Sequence, residues 1–472
     1  MSFSPAVMIL ISVILLQSAA RPTGRPPTGR GYYASPRGSS AGDGSAARPW
    51  DMTTALQGGG GRVQPGDTIW VRGGTYKGTF RSTVAGTAQA PVIIRQYPGE
   101  RAIIDGASSA KDTWNVAGEY TTFWGLEFTN SNPRRVSAST AETIRPDVLV
   151  NYAAHTKFIN LIVHDGGVGV YTDAHFPDVE IAGCIFYNNG WQEPGKGRGH
   201  ALYIKNYTGP LVARDNVTFN QYNYGIHAYT NANSGKLMNI TLEGNISFNN
   251  GTLSNRGSTP NILLGGEGYA AGATIRNNLT YFSPSVREDG PNVIVGWKTL
   301  QNGDVIVEGN YFVGGSPVLD FGYWSAARVS NDTLVGQGGR GSLIARRDPA
   351  ARAQIWRDNV ELGSPPAVTR VFVRPNPYES GRAHVAVLNR GGKSQVSVDM
   401  SGVLAAGDRY EVRNVQDLFG APVVTGTLAA GSATITIPLG GVPAPTPVGL
   451  RSSPAPKTGP EFDTFLVTRL TP

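Results

Sequence analysis

Three short strand-like segments, one repeat apart, carry the residues best suited to chemistry. They read GVYTD at 169–173, ALYIK at 201–205 and GIHAY at 225–229. Side chains alternate across a strand. Val170, Leu202 and Ile226, with Thr172, Ile204 and Ala228, are therefore expected to face inward. Tyr171, Tyr203 and His227 then form one outward row, and Asp173, Lys205 and Tyr229 a second. His175 and His200 fall at the edges of this patch. The loop WQEPGKGRGH at 191–200 is placed to overhang it, bringing Trp191, Glu193 and Arg198. Aromatic walls around an acid, a lysine and a histidine suit sugar binding and acid–base work, because flat rings stack on sugar faces and titratable groups move protons. Lys205 or His227 is the expected proton-transfer group, since His titrates near neutrality and a lysine beside other cations is lowered toward it. Asp173 would orient that base or accept sugar hydroxyls. His200 is a further catalytic candidate, and Tyr171, Tyr203, Tyr229, His175, Trp191 and Arg198 are candidate substrate contacts. His164, His175, His200 and His227 fall within 64 residues, which favours function for the patch as a whole. The competing explanation is that outward rows of stacked strands are polar and aromatic for stacking alone.

The elements that must position these residues are set by a repeat. An Asn or Gly followed by an apolar or β-branched run recurs as NLIV at Asn160, GCIF at Gly183, NVTF at Asn216, NISF at Asn245, NLTY at Asn278, NYFV at Asn310, NDTL at Asn331 and NVEL at Asn359. A unit of this length cannot bury its apolar face alone, so the units must stack. Val, Ile, Thr, Phe and Tyr make them strands, and variable spacing sends insertions into loops. The fold expected is all-β, a parallel solenoid over 31–365. Strands ending near Val163, Phe186, Phe219, Phe248, Tyr281 and Val313 are expected to stack on one face. The repeated Asn residues are read as amide ladders at turns. Segments 262–268 and 293–299 place Glu267 beside Lys298, read as a surface ion pair. Asp51–Gln57 is a short capping helix with Asp51 as N-cap. Beyond Ser364-Pro365-Pro366, period-two alternation in RVFVRPNPY, AHVAVLNRG, QVSVDMSG, RYEVRNVQD, ATITIPLGG and DTFLVTRL predicts an antiparallel β-sandwich over 366–472. Its expected role is capping and packing, with sugar binding as the alternative.

PGDTIWVRGGTY at 65–76 followed by PVIIRQYPGERAIIDG at 91–106 resembles the N-terminal coils of the right-handed parallel β-helix, pectate-lyase-like superfamily. The resemblance spans about residues 31–362 and implies a right-handed helix. It leaves function open, because the superfamily includes polysaccharide lyases, glycoside hydrolases, epimerases and adhesins. A β-elimination lyase acting on uronates needs a base for the C5 proton and a cation for the carboxylate. Lys205, His227 or the tyrosines would supply the base, and Arg198 or Ca²⁺ the charge. The superfamily's Ca²⁺ sites carry clustered acids; here Asp173, Asp165 and Asp178 are the candidates. A hydrolase needs two spaced carboxylates. Tyr171-Thr172-Asp173 and Gly199-His200-Ala201 echo two polygalacturonase motifs, but the Asp-Asp pair and the Arg-Ile-Lys motif are absent. Polysaccharide is thus the expected partner, with lyase chemistry first, hydrolysis second and non-catalytic binding third.

Composition narrows the field further. The 472 residues include 61 Gly and 16% charged residues, with a net charge of +7. Segment 21–30 carries three Arg and no acid, whereas 31–365 is almost balanced. No clustered basic face supports nucleic-acid binding. Residues 1–20 look like an export signal with an apolar core from Ala6 to Leu16, followed by a Pro/Gly/Arg-rich linker over 21–30. A secreted or periplasmic monomer with no membrane segment after signal cleavage is expected. Cys184 is the only cysteine, so no intramolecular disulfide can form, and it reads as a small core residue.

Overall fold

The computed structural model describes residues 29–470 apart from 108–110, 234, 256–258, 287–289, 298–300, 338–342 and 347–355. The export-signal segment, most of the 21–30 linker and Lys298 lie outside the described residues. Three parallel sheets of 12, 10 and 11 strands wrap one interior. A representative coil runs through Thr156–Ile159 in the twelve-strand sheet, Ile162–His164 in the eleven-strand sheet and Val170–Thr172 in the ten-strand sheet. The next coil begins at Val179–Ala182. Met52–Leu56 forms the expected short helix, and the Asp51 carboxylate accepts the Thr54 N–H at 2.8 Å. That bond satisfies an otherwise orphaned helical donor.

Two polar ladders hold the coils in register. The first turn of each coil requires a left-handed residue, filled by Asn160, Gly183, Asp215, Gly244, Asn277, Gly309, Asn331 and Asp358, all with positive φ. Gly, Asn and Asp tolerate that conformation best. The following residue faces inward. There the amides of Asn216, Asn245, Asn278 and Asn310 bond in series at 3.0 Å, and Asp332 closes the run by accepting Asn310 Nδ2 at 2.7 Å. The phrases at Asn160, Gly183 and Asn331 therefore begin one residue early: these three occupy the left-handed turn, not the ladder. Cys184 holds the ladder position in its coil, fully buried, and Asn216 Oδ1 accepts its backbone N–H at 2.9 Å. A second ladder through Asn189, Gln221, Asn250, Asn261 and Asn292 precedes the ten-strand sheet, fixing where its strands start.

Val163 and Phe186 pack in the solenoid interior, whereas Phe219, Phe248, Tyr281 and Val313 lie on the opposite face of the eleven-strand sheet. The register pairs Phe186 with Thr218 and Tyr187 with Phe219, so the aromatic that closes each phrase shifts by one position between coils. Because side chains alternate with period two, one step reverses the face. Apolar residues occur on both faces because both are covered.

The C-terminal region provides that cover. Thr369–Pro375, Arg382–Asn389, Phe462–Arg469, Arg409–Asn414 and Val424–Thr427 form a five-stranded antiparallel sheet, and Gln395–Asp399 pairs with Thr434–Pro438. Val385, Val387, Phe465 and Val467 pack between the two. The other face of the larger sheet, with Ala386, Leu388, Phe462 and Leu466, covers the outward side of the eleven-strand sheet. Phe462 stacks on Tyr281 at 4.3 Å and meets Phe248 edge-on at 5.1 Å. The region thus packs along the flank of the middle coils.

Candidate functional site

The ten-strand sheet, a different face from the covered one, carries the patch. Tyr171 pairs with Tyr203, and Tyr203 with His227. Val170, Leu202, Ile226, Thr172, Ile204 and Ala228 are all fully buried inward. The outward row packs ring on ring: Tyr171 lies edge-on to Tyr203 at 5.5 Å, and Tyr203 stacks on His227 at 5.0 Å. Tyr229 and Tyr224 stack against His227 at 4.8 and 4.4 Å.

Lys205 projects over this row, its Nζ 4.9 Å from the Tyr203 ring centre and 5.4 Å from that of Tyr171. Burial lowers its pKa, with Asp173 opposing the shift. Tyrosine protons are held more tightly here, because burial raises Tyr203 to about 12 and Tyr171 higher still. Asp173 accepts from the His175 backbone at 3.0 Å and contacts its Nδ1 at 2.8 Å. His175 itself is well exposed at the rim, its side chain 70% accessible.

His200 and His227 sit 4.6 Å apart, ring to ring. Burial lowers His227 well below the ordinary histidine value, with His200 and Lys205 adding to the effect. Burial and Arg198 bring His200 to about 3. Both Nδ1 atoms are buried without a hydrogen-bond partner. These imidazoles are neutral at ordinary pH, so the expected near-neutral titration of His227 is not what its surroundings produce. A half-buried amine, by contrast, moves toward neutrality, which singles out Lys205 as the base candidate.

The hairpin Trp191–Glu193 with Lys196–Arg198 replaces the expected overhanging loop. Trp191 is only 7% exposed and offers no open stacking face, which corrects its assignment as a sugar contact. Buried Glu193 pairs with Arg198 at 2.9 Å and Lys196 at 3.5 Å, leaving one excess positive charge on the hairpin. His164 lies on the eleven-strand sheet, away from the patch, between Asp165 at 2.8 Å and Glu127 at 3.0 Å. The three acids offered as Ca²⁺ ligands are also dispersed: Asp165 pairs with Arg135 and Asp178 with His155. Calcium takes six to eight oxygens. Among the described residues no group of three or more His, Cys, Asp or Glu is arranged to hold a metal. The donor set does not fit the ion.

Asp147 was missed. It stands two residues before Leu149 as His200 stands before Leu202 and Tyr224 before Ile226, and Leu149 and Leu202 both pair with Val170. These positions form a lane on the N-terminal side of the tyrosine row, while Asp173 and Lys205 occupy the other side. The Asp147 carboxylate accepts the Val168 N–H at 3.0 Å; burial raises its pKa to about 7, and nearby Asp112 adds to the rise. Aligning Pro146-Asp147-Val148-Leu149 with Gly199-His200-Ala201-Leu202 would have revealed it. A cavity of about 550 Å³ lies elsewhere, between Pro365, Asn389, Arg390 and Glu461, where Arg390 and Glu461 neutralise each other at 2.7 Å.

The coils and this patch define a parallel β-helix protein whose ten-strand sheet presents aromatic and titratable groups. The chain belongs to the Pel9A-like right-handed β-helix family, whose model matches residues 32–282, more than half its length. It is 24% identical over 290 residues to pectate lyase L of Thermoclostridium stercorarium, covering 56% of this chain and 22% of that protein. It is 28% identical over 182 residues to pectate lyase PEL9 of Emericella nidulans, covering 37% of this chain and 38% of that protein. The chain thus spans well under half the length of these relatives. The crystal structure of pectate lyase Pel9A aligns at a TM-score of 0.40 and 17% identity, over 72% of this chain and 88% of that one. The distant likeness to pectate lyases suggests a carbohydrate-active enzyme.

Proposed function

We propose that the protein is an extracellular polysaccharide lyase that cleaves uronate-containing glycans by β-elimination. The observation that carries this reading is the half-buried Lys205 amine lodged over Tyr171 and Tyr203, with its pKa lowered by burial. In its neutral form Lys205 takes the C5 proton of the uronate. The C–H electrons become the C4=C5 double bond, the C4–O4 bond breaks, and its electrons leave with O4. Asp147 lies across the tyrosine row and, with a pKa of about 7, retains a proton to give the departing oxygen. The excess positive charge of the Glu193–Lys196–Arg198 hairpin faces the uronate carboxylate and favours acidity at C5. Tyr203, Tyr171 and Tyr229 stack on the sugar rings, the partly exposed neutral imidazole of His200 exchanges hydrogen bonds with hydroxyls, and buried His227 supports the tyrosine row.

The test is incubation with a panel of polysaccharides, following ultraviolet absorbance of unsaturated uronates together with reducing ends. Unsaturated product that disappears in Lys205→Ala supports the reading. Reducing ends without unsaturation would replace it with hydrolysis, and binding without either product would leave a carbohydrate-binding protein.

A further inference from the structure

The twelve-strand sheet carries a second row that the proposed reaction does not use. Tyr33, Trp70, Arg95 and Trp124 occupy successive rungs, each paired with the next across the parallel ladder. All four are half-buried and face outward. Tyr97 joins them, 5.9 Å from Trp70 and 6.0 Å from Tyr33. The Arg95 guanidinium lies between the two indoles, 5.4 Å from the Trp70 ring and 4.4 Å from that of Trp124.

The charges on this face are not equivalent. Arg72, stacked on Tyr97 at 4.7 Å, is neutralised by a bidentate pair with Glu100 at 2.9 and 2.6 Å. Lys157 and Arg214, farther along the sheet, both pair with Glu180. Arg95 makes no ion pair among the described residues, and its Nε is buried without a hydrogen-bond partner, as is Nε1 of Trp124. Glu379 acts on Arg95 only from beyond ion-pair distance, and a desolvated cation without a directly paired acid is costly. Stacking on indoles offsets part of that cost, and an arriving carboxylate would supply the missing partner. The C-terminal region stops at the edge of this row, where Tyr378 meets Trp124 edge-on at 6.1 Å. Tyr33, Trp70 and Tyr97, on the side away from that contact, keep partly exposed side chains.

We propose that Tyr33, Trp70, Tyr97 and Trp124, with Arg95 among them, form a second, non-catalytic binding platform for an anionic polysaccharide strand. Indole and phenol faces receive sugar rings, and Arg95 receives a uronate carboxylate. The choice of occupant rests on the lyase reading. One cation with no directly paired acid, set among rings, fits a sparsely charged sugar chain, whereas a nucleic acid wants a basic stripe. Because this sheet and the patch-bearing sheet are different faces of one rigid solenoid, a long polymer held here raises its effective concentration at the reaction face.

The test uses the full chain, with oligogalacturonate as anionic probe and a neutral xylan oligosaccharide as comparator, binding being followed by tryptophan fluorescence. Arg95→Gln removes a charge-assisted bond, so it should weaken oligogalacturonate binding at least about tenfold and leave the neutral probe unchanged. Trp124→Leu should weaken both. Turnover of a soluble trisaccharide should stay at the wild-type value in Arg95→Gln. Wild-type affinity in both variants overturns the platform. So does a loss of affinity that appears only where the thermal midpoint also falls, since the row would then be a stacking ladder alone. If the wild type makes no unsaturated product but Arg95→Gln still loses oligogalacturonate, the platform stands and the lyase reading fails. If Lys205→Ala abolishes turnover while Arg95→Gln binds normally, the platform alone fails.

Discussion

Lys205 and His227 stand on adjacent strands, yet burial treats them differently. For both, losing solvent disfavours the cation. A lysine starts far above neutrality and is brought toward a useful value; a histidine starts near it and is driven out of range. Lys205→Ala should therefore cost at least about 10²-fold in turnover, the lower end for general acid–base catalysis. Lys205→Arg should not restore activity, because a guanidinium does not deprotonate in proteins. Single-turnover formation of unsaturated product measures both, and an active Arg variant would remove Lys205 as base. Asp147→Asn should lower turnover by about 10² as well and abolish the fall in rate that wild type shows as pH rises through the Asp147 value of about 7. An unchanged pH profile would take the acid role from Asp147.

The Asn ladder shows what a coil element demands of its turn. Asp332 occupies a position where four preceding coils have Asn. One of its oxygens accepts two bonds from Asn310, while the other is buried without a partner. Burial raises its pKa to about 7, with the Asn310 bonds opposing the shift. The ionised form is thus disfavoured in the folded chain. Stability present below the unfolded value of about 4 is lost as pH climbs to about 7, and is level beyond. In Asp332→Asn the new amide can donate to the Val307 carbonyl, as Asn310 donates to Ile275 at 2.9 Å. This variant should gain over wild type progressively across that window. Thermal midpoints at pH 4 and pH 8 decide the matter, and an equal difference at both would refute the mechanism.

At the scale of the whole molecule, solenoid and C-terminal sheets share an apolar layer, so they should melt together. Truncating Phe462, which packs on Phe248 and Tyr281, should cost about 3–5 kcal/mol and lower a single unfolding transition. Two separate calorimetric transitions would show independent domains. The strap over 440–460 adds a polar tie: Val448 N–H donates to Asp165 at 2.9 Å, and Arg135 bonds both Asp165 and the Val448 carbonyl. His164 borders this tie. Burial opposes its charge, but hydrogen bonds with Asp165 and Glu127 prevail and raise its pKa to about 9. Its stabilisation is complete below the unfolded value of about 6.5 and is lost as pH rises through 9. His164→Gln should flatten the stability profile in that alkaline window alone; an unaltered slope in denaturant titrations would count against it.

The strand rows at 169–173, 201–205 and 225–229 were legible because period-two alternation and one-coil spacing are local consequences of backbone geometry. The same logic established the solenoid, the capping helix, the amide ladders and the antiparallel character of the C-terminal strands. It misassigned the face of Phe219, Phe248, Tyr281 and Val313, because a covered outward face is as apolar as the interior and no periodicity separates the two. Trp191, His164 and Asp165 look like site residues in the sequence, and only the tertiary structure buries Trp191 in its hairpin and puts His164 and Asp165 at another sheet. Asp147 lies before its strand and outside the three aligned segments, and becomes noticeable only when the coils bring it level with His200 and Tyr224. Most of all, the protonation behaviour of Lys205, His227 and Asp147 belongs to the tertiary structure, since desolvation depends on what surrounds a group in space and not on what adjoins it in the chain.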